Sequence, residues 1–91
     1  MVDWDLISFV NASKPRFQIL ISLNGKVSTP RDLADEMNFP ISRISSVLAE
    51  LSRKKLVECL TPNRRKEKMY GITDFGKKIL NEIHEITEEK H

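Results

Sequence analysis

Apolar residues recur along this chain at the spacing of short amphipathic helices, and two strand-like runs follow in the second half. Beyond Ile41, residues Ile44, Val47, Leu48 and Leu51 fall at i, i+3, i+4 and i+7, which makes one buried stripe on a helix. Ser42, Arg43, Ser45, Ser46, Ala49 and Arg53 are left off that stripe. Just upstream, Leu33, Ala34 and Met37 form the inward face of a shorter helix. Thr29 is placed to cap it, Pro30 fits the first helical position, and Asp32 faces the positive helix terminus. Asn38 falls where the chain leaves that helix, a place that favours a residue tolerating the left-handed conformation, and Phe39-Pro40 turns the backbone into the next helix. A turn this short holds two helices at an angle.

The pattern extends to both ends. Asp5 to Val10 reads as a short helix presenting Leu6, Ile7 and Val10, with Trp4 near its start. Pro15 opens a second helix whose apolar face is Phe17, Leu20 and Ile21, flanked by Ile19 and Leu23, and Asn24-Gly25 stops it. Leu56 to Leu60 reads as a strand, Met69 to Thr73 as its antiparallel partner, and Lys26 to Ser28 as a third short strand. Between the first two lies a hairpin tip, Thr61 to Lys68, with turn residues first and then Arg64, Arg65, Lys66 and Lys68. Thr73 caps the last helix, and Gly76 in its first turn lets it pack closely on the sheet. Ile79, Leu80, Ile83 and Ile86 make a stripe on that helix, which reaches to about Glu88. A three-helix core is too small to cover it, so these four residues are expected to meet a second subunit.

The fold expected from these elements is α+β and mostly helical: a winged helix-turn-helix with a three-helix core, a short three-stranded wing sheet and a C-terminal dimerisation helix. It forms one domain over 1–91, divided into an N-terminal helical extension (1–13), the winged-helix core (14–73) and the C-terminal helix (74–91).

Composition agrees with one modest core, since the 91 residues are 40% hydrophobic and 31% charged. The formal net charge is only +2, but Pro40 to Lys68 carries eight Lys and Arg against three Glu, a net +5. From Asp74 onward the balance is −2. A basic central segment beside a mildly acidic end suggests that one face meets a polyanion. Short side chains let a helix backbone approach base edges, and Ser hydroxyls and Arg supply hydrogen bonds to bases or phosphates. Wing arginines reach a minor groove or flanking phosphates. No run approaches the eighteen or so apolar residues of a membrane span, and Met1 to Asp5 is acidic rather than the basic start of a secretory signal, so a cytoplasmic location is expected. Cys59 is the only cysteine, which rules out an intrachain disulfide.

Two stretches resemble a known family. Asp32 to Ser45 is similar to the helix-turn-helix of bacterial and archaeal winged-helix regulators of the MarR/ArsR kind. Lys55-Leu56-Val57-Glu58 and Tyr70-Gly71-Ile72-Thr73-Asp74-Phe75-Gly76 resemble the two strands of their wing. Two residues depart from the pattern: Pro40 stands where such proteins often have Ser or Thr, and Lys55 where Gly is usual. The resemblance implies a homodimeric transcription regulator bound to double-stranded DNA. Its reading positions would be Ile41, Ser42, Arg43, Ser45, Ser46 and Ala49, joined by Arg53, with Arg64, Arg65, Lys66 and Lys68 on the wing. The alternative is a winged-helix protein-interaction module or a subunit of a larger assembly.

Nothing in the sequence assembles a catalytic set: there is no Gly-rich phosphate loop and no recognisable nucleophile motif, so an enzyme is not expected, and neither is a cofactor. His84, Glu88 and His91 share a helix face, but the ligand count is poor and no metal site is expected. Cys59 on the wing strand is read as a packing residue. The nature of any effector is left open, and a small-molecule site would have to lie at a dimer interface.

Overall fold

The structure, a computed structural model, describes residues 3–89, and side chains of residues 3–86. Five helices and two strands follow one another as α1 (Trp4–Asn11), α2 (Lys14–Leu23), α3 (Pro30–Met37), α4 (Ile41–Arg53), β1 (Val57–Cys59), β2 (Tyr70–Ile72) and α5 (Asp74–Glu89). This is a mostly helical winged helix, in the element order expected.

Local chemistry explains the helix boundaries. Thr29 Oγ1 accepts from the Asp32 N–H at 3.1 Å, with Pro30 opening α3. Asn38 ends it in the left-handed region (φ 59°, ψ 43°). Pro40 stands at the N-cap of α4 without any side-chain hydrogen bond. Thr73 Oγ1 accepts from Gly76 N–H at 2.9 Å at the start of α5, and donates to the Lys55 carbonyl at 2.7 Å. That hydroxyl therefore ties the last helix to the base of the wing.

β1 and β2 pair antiparallel in the register Val57↔Ile72, Glu58↔Gly71, Cys59↔Tyr70. Thr73 N–H donating to the Leu56 carbonyl and Leu60 N–H donating to the Met69 carbonyl extend the pairing to the predicted bounds. The expected third strand is reduced to one bridge, Ser28↔Tyr70. Only a few residues separate the end of α2 at Leu23 from Pro30, and Thr29 is committed to capping α3, so a longer ladder has no chain to use.

The core joins all five helices: Ile7 and Val10 of α1, Ile19, Leu20 and Leu23 of α2, Leu33 of α3, Ile44, Leu48 and Leu51 of α4, and Ile79, Leu80 and Ile83 of α5, with Leu56 and Val57 beneath the wing. Two expectations are corrected here. Ile21, assigned to the buried face of α2, is 44% exposed, and Ile19 and Leu23 are buried instead. Phe17, Ile19, Leu20, Ile21 and Leu23 ring too much of α2 for periodicity to choose a side, and packing against its neighbours chooses it.

The second correction concerns α5. Ile79, Leu80 and Ile83 are 0%, 1% and 4% exposed, covered by the chain itself, and Ile86 is half-buried against the same core. Three of the four residues expected to meet a second subunit are thus taken up within one chain, and Ile86 is covered only in part. The cover comes partly from α1, which packs on α5 and is tied to it by Asp3 N–H donating to Glu82 Oε1 at 3.1 Å. α1 is therefore part of the core and not an appendage to it.

Candidate nucleic-acid interface

The buried stripe of α4 sets what the helix shows outside. With Ile44, Val47, Leu48 and Leu51 buried, a 3.6-residue period places Ser42, Ser46, Ala49 and Arg53 opposite the stripe, and all four are exposed. Ile41 and Ser45 lie on one flank and Arg43 and Glu50 on the other. Arg43 is also exposed, with its guanidinium carbon 5.7 Å from the centre of the Phe39 ring, a cation–π contact that holds it beside the turn.

The wing supplies the neighbouring surface. Arg64 N–H donates to the Thr61 carbonyl at 3.1 Å, closing a turn, and Met69 N–H donates to Thr61 Oγ1 at 2.9 Å, closing the loop's base. Glu67 adopts φ 51°, and Arg64 Nη1 donates to its carbonyl at 3.4 Å. Arg64, Arg65 and Lys66 are all exposed and Lys68 is half-exposed.

α4, the wing and the start of α3 together enclose an open groove of about 770 Å³. Ile41 and Ser45 line it from α4, Arg65, Lys66, Glu67 and Lys68 from the wing, Tyr70 from β2, and Thr29, Pro30 and Arg31 from the start of α3. Four cations against one carboxylate make it electropositive. Burial, and then the charge of Cys59, push the Tyr70 phenol above its ordinary pKa of 10.0, so at neutral pH it remains a protonated donor. Arg31 and Tyr70 were not singled out from sequence as site residues. The available signal for Arg31 was a cation in the first turn of α3, off its buried stripe.

The remaining sequence candidates lie elsewhere. Ser42, Arg43, Ser46, Ala49 and Arg53 are exposed on α4 outside the groove lining, and Arg64 is outside it too. Glu50 is neutralised by Arg16 of α2, whose Nη2 donates to Glu50 Oε2 at 2.8 Å. The same guanidinium stacks 4.0 Å from the Phe9 ring centre and donates to the Phe9 carbonyl at 2.7 Å. One side chain therefore ties α1 and α2 to α4 and removes the only acidic charge of α4. Cys59 is half-buried on β1. Of the three residues spaced for a metal, His84 is exposed, and the Glu88 side chain and His91 lie outside the described residues. Among the described residues no helix is long and apolar enough to cross a membrane.

No family model matches the sequence, and no curated protein matches it. Solved structures do. A mutant of MepR from S. aureus is similar over 97% of this chain and 66% of its own, at 24% identity and TM-score 0.78. The transcriptional regulator BldR from Sulfolobus solfataricus is similar over 85% of this chain and 56% of its own, at 24% identity and TM-score 0.73. A MarR family transcription regulator is similar over 86% of this chain and 53% of its own, at 25% identity and TM-score 0.74. The chain thus spans between 53% and 66% of the length of these structures. The likeness is one of fold: the chain has the winged-helix architecture of MarR-type regulators.

Proposed function

We propose that this chain is the DNA-binding part of a dimeric transcription regulator that recognises double-stranded DNA by sequence. In this reading the α4 helix enters a major groove, with Ile41, Ser42, Arg43, Ser45, Ser46, Ala49 and Arg53 available to bases and phosphates. Arg64, Arg65, Lys66 and Lys68 of the wing engage the adjacent minor groove or its phosphates, and two subunits read half-sites about one helical turn, roughly 34 Å, apart. The observation that carries the reading is the shared electropositive groove, which sets the first turn of α4 and the wing cations beside each other with small or hydroxyl-bearing residues exposed along the helix. Such a surface suits close approach to a duplex, with base edges in front and phosphates at the side. The regulators of similar fold support the same class of function. The dimer contact is assigned no residues, because Ile79, Leu80 and Ile83 are covered within the chain.

A polarisation titration on genomic fragments at several salt concentrations tests this. A regulator gives a preferred fragment and steep salt dependence. The competing reading is a protein-interaction module, favoured by a second hollow of about 250 Å³ behind the wing where Val27 and Leu60, 49% and 45% exposed, lie beside Gly71. A module of that kind shows neither fragment preference nor a steep salt slope.

A further inference from the structure

Ile41 opens α4 with 46% of its surface exposed. Of the large hydrophobic side chains exposed among the described residues, it alone lines the electropositive groove, beside Ser45 and near Arg31, Arg65 and Lys66. A β-branched aliphatic at this place contributes little to the helix, since its intrinsic propensity is modest. It also adds nothing to attraction for phosphates. Burial against a bound partner would account for it. The first turn of a recognition helix is the part that meets base edges, and the apolar group that bases display in the major groove is the C5-methyl of thymine.

We propose that Ile41 is a specificity-determining residue that selects thymine at one position of each half-site, by van der Waals contact with the C5-methyl. The assignment rests on the reading of this chain as a duplex-DNA binder, and goes beyond it by naming the base and the chemical group read. Ser45, one turn further along the same flank, supplies a hydroxyl to a neighbouring base edge, so the groove-facing flank of α4 reads an apolar group next to a polar one.

The experiment begins with selection of preferred duplexes from a random-sequence pool by the full chain. Each thymine of the preferred duplex is then replaced singly by deoxyuridine, which removes the methyl and keeps every base-pairing group. Wild type, Ile41→Val and Ile41→Ala are titrated against the series, with circular dichroism confirming that the variants are folded. At one thymine per half-site, deoxyuridine weakens wild type about fourfold, the size expected for one buried methyl. Ile41→Val retains most of that difference and Ile41→Ala binds the thymine and deoxyuridine duplexes alike. Deoxyuridine that is neutral at every position in wild type, or that weakens Ile41→Ala as much as wild type, overturns the assignment while leaving DNA recognition intact. A pool from which no duplex is enriched removes the DNA-binding reading itself, and the assignment with it.

Discussion

Lys55 holds φ 63°, in the left-handed region that glycine occupies at no steric cost. Its backbone is kept there from both sides: Lys55 N–H donates to the Ser52 carbonyl at 2.9 Å, and Thr73 Oγ1 donates to the Lys55 carbonyl at 2.7 Å. Neither contact uses the lysine side chain. Lys55→Gly is therefore expected to stabilise the fold by about 0.5–1 kcal/mol, the relief of left-handed strain exceeding the added entropy of the unfolded chain. A lower urea midpoint in the variant would contradict this. Gly76 presents the reverse case. A Cβ there collides with the Leu56 carbonyl oxygen and stands 2.7 Å from Ile72 Cγ1, so Gly76→Ala must push α5 off the base of the wing. A loss of about 1–3 kcal/mol is expected in the same urea measurement.

At the scale of elements, features governed by neighbours in sequence were readable in advance. The Thr29 cap, the left-handed Asn38, the buried stripe of α4 and the Thr73 cap of α5 each depend on residues within one or two turns. The destination of an apolar face was not readable in that way. Taken alone, α1 reads as an extension and α5 as an uncovered helix, yet Asp3 and Glu82 meet across the length of the chain. Arg16 and Glu50, paired at 2.8 Å, were invisible for the same reason. The burial of Leu80, 1% exposed, makes a definite prediction. Leu80→Ala lowers stability by about 2–5 kcal/mol through the cavity it opens, and the loss in urea unfolding is the same at all protein concentrations. A variant that instead unfolds normally and only dissociates faster in sedimentation would return Leu80 to an intersubunit role.

On the scale of the whole molecule, charge decides how a polyanion is met. The net +2 is small, but folding gathers Arg31 from α3 with Arg65, Lys66 and Lys68 of the wing around one groove, although more than thirty positions separate the first two. Arg16 withdraws Glu50 from the same field. Each cation that neutralises a phosphate contributes about 0.9 to the slope of log affinity against log salt. Arg65→Ala is accordingly expected to flatten that slope by about 0.9 per subunit and to weaken all duplexes alike, without changing which is preferred. A change of preference with an unaltered slope would make Arg65 a base reader. By itself, the sequence determined the element order, the helix limits and the outward face of α4, because caps, turn residues and the 3.6-residue period act over a few bonds. Tertiary structure alone decided which face of α2 is buried, that α1 covers α5 and that Arg31 joins the groove. Those outcomes depend on competition among distant apolar surfaces for one small core, and on hydrogen bonds whose partners are chosen only once that core has closed.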